Sequence, residues 1–154
     1  MDDITLNKLA TITRCLQRIR DEYSNEADFK SNFTKQDSVI LNLQRACEAC
    51  IDICNHIIRQ NGLGIPQSSR NSFELVAQAG VINDDLAERL KRMVGLRNIA
   101  VHDYQKLNLD KKLKAKLMLW EGVGKRLQTT TTDYYLVLKE LTEHHDHELW
   151  LSKF

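Results

Sequence analysis

Proline occurs once and glycine six times in the 154 residues. A sandwich or barrel spends both residue types on its many turns, so their scarcity turns the reading toward long helices. No apolar run approaches the roughly 20 residues that a helical membrane span requires, so no membrane association is expected. Nor is there a charge excess. Lys and Arg number 22 against 21 Asp and Glu, so any affinity for nucleic acid has to come from local patches. The acidic start, Met1-Asp2-Asp3, lacks the basic end and apolar centre of a signal peptide, and a cytoplasmic location is expected.

What is present is helical periodicity. Leu6, Leu9, Ile12, Leu16, Ile19 and Tyr23 recur at steps of three and four, which predicts a helix from about Asp3 to Glu22. Ser24 to Phe33 reads as a connection pinned to the core by Phe29 and Phe33. A second helix, capped by Thr34 or Asp37, is predicted to run to about Gln60. Its apolar face, Val39, Leu43, Ala46, Cys50, Ile53 and Ile57, is widened by Ile40, Cys47, Cys54 and Ile58. A face that wide touches more than one neighbour, so this helix belongs at the centre. Gly62, Gly64 and Pro66 stop it. A short helix is expected over Ser69 to Ala79, closed by Gly80, and another from Asp84 to about His102, capped by Asn83. Beyond Lys111 the helical spacing of Leu113, Leu117, Trp120 and Leu127 is interrupted by Gly122, Gly124 and the run Thr129 to Thr132. A further helix is expected over Tyr134 to Leu141. The expectation is one all-α domain over 1–154, an antiparallel helical bundle of about five helices, with 111–154 a divergent C-terminal segment.

The four cysteines sit in helical patterns, and reduced core thiols are expected. Cys47-x2-Cys50-x3-Cys54 lacks the turn and the second ligand pair of a zinc site, so no metal site is assigned to it. His144, His145, His147 and Glu148 read as an exposed tail, and His56 as structural.

One stretch concentrates polar chemistry: Gly95-Leu96-Arg97-Asn98-Ile99-Ala100-Val101-His102-Asp103-Tyr104. Asn98 and His102 are four apart and share a helix face. Arg97 and His102 are five apart, about 140° around an ideal helix. They converge on one phosphate only if the helix end distorts or if two copies face each other. Cleavage of RNA without metal or other cofactor needs these residue types. A 2′-hydroxyl must lose a proton, a leaving 5′-oxygen must gain one, and the phosphorane between them carries extra negative charge. Imidazole serves as base or acid near neutrality, and guanidinium forks around phosphate oxygens. One histidine per segment is one short, so the second comes from a dimer or from help by Asp103 or Tyr104.

The same stretch, from Lys91 to Tyr104, resembles the HEPN superfamily and within it the HepT toxins, whose signature Arg-x4-His-x-Tyr is matched by Arg97, His102 and Tyr104. Asn98 and Asp103 also follow the family pattern, as do the helix Asp37 to Asn55 and the Gly64-Ile65-Pro66 and Ser72-Phe73 segments. The resemblance extends to about residue 110 and departs after Asp110. It implies a helical bundle that dimerises to bring two Arg-x4-His segments into one cleft. It implies a toxic endoribonuclease, with Arg97 and His102 catalytic and Asn98 and Asp103 supporting them. As partners it implies an RNA substrate (transfer or messenger RNA) and a minimal nucleotidyltransferase antitoxin, MntA-like, in a higher hetero-oligomer. That antitoxin would transfer AMP from ATP to Tyr104, as in type VII toxin–antitoxin systems. A competing reading is a non-catalytic partner that presents RNA or nucleotide to the nucleotidyltransferase; retention of both Arg97 and His102 favours the enzyme. Lys91, Arg92 and Lys106 are candidate RNA contacts. The basic run Lys106, Lys111, Lys112, Lys114, Lys116, Lys125 and Arg126 fits either a phosphate-tracking patch or a solvated face.

Overall fold

The computed structural model describes residues 2–104, with the side chains at 26, 96 and 99–104 excepted. These residues form five helices: α1 (Asp3–Glu22), α2 (Glu26–Ser31), α3 (Phe33–Asn61), α4 (Ser69–Gln78) and α5 (Asp84–Tyr104). The helices expected beyond Lys111, and with them Lys106, lie outside the described residues.

Asp2 starts α1 by accepting a hydrogen bond from the Thr5 amide at 2.9 Å, one of the donors that a helix start leaves without an internal partner. The predicted stripe is realised, with Leu9, Ile12, Leu16 and Ile19 all buried. Cys15 joins them. This face packs along α3, which also contacts α2, α4 and α5 and is the central helix of the described bundle. At 29 residues α3 is about 43 Å long, enough to carry neighbours on several sides. Every position of its expected face, from Val39 to Ile58, is buried. It ends where Gly62 takes φ 60°, the left-handed conformation that costs glycine little. Leu63 then donates back to the Ile58 carbonyl at 3.0 Å.

The stretch between α1 and α3 departs from the sequence expectation. It contains α2, capped by Asn25, whose side chain accepts from the Asp28 amide at 2.8 Å. Phe29 is fully buried and packs its ring 5.3 Å from that of Tyr23, whereas Phe33 is 68% exposed. Phe33 is the first residue of α3, and the core at this end is already filled by Phe29. The cap of α3 is Asn32, accepting from the Lys35 amide at 3.1 Å, not Thr34 or Asp37. Buried Gln36 donates to the Phe29 and Lys30 carbonyls at 2.8 and 3.0 Å, satisfying acceptors that the short α2 cannot satisfy itself.

Ser68 caps α4, and Ser72 ties it to α3 by donating to Asn55 Oδ1 at 2.7 Å. Phe73 and Val76 fill the space between α4 and its neighbours. Asn83 caps α5 as expected, accepting from the Leu86 amide at 2.8 Å. Leu86, Leu90, Met93 and Val94 then bury one side of α5. Among the described residues no helix is long and apolar enough to cross a membrane.

His56, from the far end of α3, places Nε2 3.0 Å from Asp2 Oδ2, and Gln60 donates to the same oxygen at 3.1 Å. The Thr5 amide first, then His56 and Gln60, hold the Asp2 carboxyl well below the usual carboxylate range. A carboxyl depressed in the folded state adds stability above its unfolded value of about 3.9, lost as pH falls through the folded value. The thermal midpoint of the wild-type chain should therefore drop on acidification below about pH 4. Asp2→Asn keeps a cap but not the charge, and its midpoint should fall less over the same range. Parallel pH curves for the two proteins would refute this role.

Candidate functional site

The polar stretch noted in the sequence is the last part of α5, which stays α-helical through Tyr104, two residues further than expected. A regular helix keeps positions 98 and 102 on one stripe and leaves positions 97 and 102 about 140° apart. Helix-end distortion, one of the two routes to convergence, is thereby absent. Positions 97 and 102 therefore lie on different faces of a single α5.

Arg97 is half-buried, and the crossing of α3 and α5 holds its guanidinium. Nη1 donates to Asn98 Oδ1 at 3.0 Å. Nε is buried and lies 3.6 Å from Glu48 Oε1 of α3. That separation is beyond an aligned hydrogen bond, so the contact is charge pairing. Gln44 Nε2 donates to the same Glu48 oxygen at 3.3 Å. Guanidinium carries five N–H donors in a rigid plane, and among the described residues these contacts leave most of the Nη donors free for phosphate oxygens. Arg97 and Asn98 are thus joined by a hydrogen bond, while the side chains of His102, Asp103 and Tyr104 lie outside the described set. Glu48 was not foreseen. The one sequence signal for it is a carboxylate set within the otherwise apolar run from Ala46 to Ile51.

The basic residues ahead of the motif divide. Lys91 Nζ is clasped by Glu74 Oε1 of α4 and by Glu88 Oε1, each at 2.9 Å. The bonds it donates to Glu88 and Glu74 raise the Lys91 ammonium above its ordinary value, and Lys91 holds Glu74 below the usual carboxylate range. Its charge is already balanced within the fold. Arg92 is exposed. Arg70, on α4, was not foreseen either. Its Nε donates to the Lys91 carbonyl at 3.3 Å, and its Nη2 would lie 3.5 Å from a Cβ placed on Gly95.

The cysteines are core thiols. Cys15, Cys47, Cys50 and Cys54 are free and buried. Burial pushes the Cys50 thiol well up and that of Cys54 to about 12, so both stay protonated and unreactive. No group of three His, Cys, Asp or Glu among the described residues could hold a metal ion.

The fold and this site define a class: a helical bundle in which one helix ends on an Arg-x4-His sequence, its arginine held by a carboxylate of the central helix. Comparison with known proteins makes the class specific. The family model described as Ribonuclease HepT-like matches residues 11–115. The chain is 66% identical over 110 residues to the mRNA nuclease HepT of Shewanella oneidensis, covering 71% of this chain and 83% of the relative. It is similar in structure to a toxin–antitoxin complex of MntA and HpeT carrying Y104A, with a TM-score of 0.74 and 50% identity over 92% of this chain and 99% of that one. It is also similar to the tri-AMPylated Shewanella oneidensis HEPN toxin in complex with MNT antitoxin, with a TM-score of 0.70 and 54% identity over 90% and 99% of the two chains. The chain belongs to the HepT-like ribonuclease family of HEPN proteins.

Proposed function

We propose that this protein is the toxin of a type VII toxin–antitoxin pair: a cytoplasmic endoribonuclease that needs no metal and is silenced by transfer of AMP to Tyr104. The observation that carries the reading is Arg97 at the head of Arg-x4-His, fixed through Glu48 and Asn98 with donors to spare. Family membership supports the substrate class. The regularity of α5 supports a homodimer, because two antiparallel copies can place each Arg97 beside the other's His102.

In that arrangement one His102 imidazole takes the proton from a 2′-hydroxyl. The 2′-oxygen attacks the adjacent phosphorus and the bond to the 5′-oxygen breaks. The second imidazole protonates that leaving oxygen, while both Arg97 guanidiniums take up the charge growing on the phosphorane. The products carry a 2′,3′-cyclic phosphate and a 5′-hydroxyl. For silencing, the Tyr104 phenolic oxygen attacks the α-phosphorus of ATP in the antitoxin, pyrophosphate leaves, and the phenolic proton passes to solvent. The adduct sets bulk and a negative phosphate two residues from His102, where it blocks an RNA phosphate by volume and by charge.

The test has two arms. The purified chain should cut RNA in the presence of a chelator and leave cyclic-phosphate ends; intact RNA, or cleavage that stops with chelation, would refute the mechanism. Incubation with the cognate nucleotidyltransferase and ATP should add one or more AMP masses to the peptide carrying Tyr104 and abolish cutting. Added mass on another residue would refute the switch.

A further inference from the structure

Positions 91, 95, 98 and 102 fall on one stripe of α5, within about 60° of arc. At 91 the lysine is neutralised by Glu74 and Glu88. At 95 there is no side chain at all, and the Arg70 guanidinium of α4 lies over the gap. Its Nε is anchored on the Lys91 carbonyl at 3.3 Å, so the group extends along α5 from residue 91 toward residue 95, in the direction of the motif. Arg70 is exposed and has no carboxylate partner among the described residues. The stripe therefore carries a cation after all, supplied by a neighbouring helix, and Gly95 leaves it room.

We propose that Arg70 forms a phosphate subsite that grips the RNA backbone beside the phosphodiester being cut. The inference rests on the ribonuclease reading above. With 1.5 Å of rise per residue, residue 95 lies roughly 10 Å along the helix from residue 102. A group there is too far to touch the scissile phosphate held at His102 and suitably placed for one further along the same strand. The ligand is a single-stranded RNA phosphate, recognised by charge and by the fork of the Nη donors, without regard to base. The Nε anchor spares the strand part of the entropy cost of ordering a long side chain. Lys91 contributes by presenting its carbonyl and by occupying Glu74, which would otherwise be available to pair with Arg70 one helical turn away.

Such a contact serves binding and leaves the chemical step alone, which fixes its test. Affinity of the full chain for a 2′-O-methyl oligoribonucleotide, which cannot be cut, should be measured against salt for the wild type, Arg70→Ala and Arg70→Lys. Loss of one phosphate contact should make the log–log salt slope shallower by about 0.7 in Arg70→Ala, and lysine should restore it. With cleavable RNA, KM for Arg70→Ala should rise about three- to tenfold while kcat stays within about twofold. An unchanged salt slope in Arg70→Ala, or a fall in kcat at constant KM, overturns the subsite and leaves the ribonuclease reading standing. A wild-type chain that neither binds nor cuts RNA removes both.

Discussion

Replacing Arg97 with alanine is expected to slow RNA cleavage by a factor of about a hundred to a thousand, the usual cost of removing one group aimed at charge that develops in the transition state. His102→Ala should cost as much or more, because it removes both the base and the acid from a symmetric cleft, each worth about a hundred- to ten-thousandfold. The effects should not add. Once either residue is gone the remaining one has little to act on, so the double variant should be no slower than the worse single one. Arg97→Lys should recover only part of the loss. A lysine keeps the charge but cannot face Glu48 with one edge while offering a fork to phosphate with the other. The measurement is the single-turnover rate on a defined RNA, with helicity checked by circular dichroism. Cleavage by either alanine variant at the wild-type rate would end the proposed mechanism, as would a double variant slower by the product of the two single effects.

The second large effect falls on stability. Phe73→Ala should destabilise the protein by about 3–5 kcal/mol, the range for emptying a fully buried aromatic site. Phe73 is 0% exposed and lies on α4, which has only 10 residues. A helix that short has little stability of its own, so its apolar contacts hold it to α3 and α5. Set against a typical domain stability of about 5–15 kcal/mol, the loss is a large share of the whole. The urea midpoint should drop without a change in slope. Ile65→Ala provides the contrast: that side chain is 81% exposed, and its removal should change stability by less than about 0.5 kcal/mol. Similar midpoints for the two variants would show that α4 is not held in the way described. Because α4 also carries Arg70, a folded but loosened Phe73→Ala protein should lose RNA affinity too.

Much of the architecture was legible because it is local. Apolar steps of three and four placed α1 and α3, end signals such as Gly80 and Asn83 placed α4 and α5, and Gly62 and Asn83 marked two of the limits where expected. The errors fell where several local signals competed. Asn25, Asn32, Thr34 and Asp37 are all acceptable caps, and choosing among them depends on whether Phe29 or Phe33 is buried. That is decided by the space left between α1 and α3, and Phe29 fills it.

Sequence alone determined the helical class, the central place of α3, the core role of the cysteines and the Arg-x4-His-x-Tyr signature. Each of these is carried by residues within a turn or two of one another, or by a pattern along one helix. Tertiary structure decided what surrounds the signature: that Glu48 faces Arg97, that Glu74 helps to neutralise Lys91, and that Arg70 lies over Gly95. These pairs join different helices, and which residues meet depends on how far each helix is rotated and where it crosses its neighbour. Those quantities come from the packing of whole apolar faces, and no spacing within a single segment contains them.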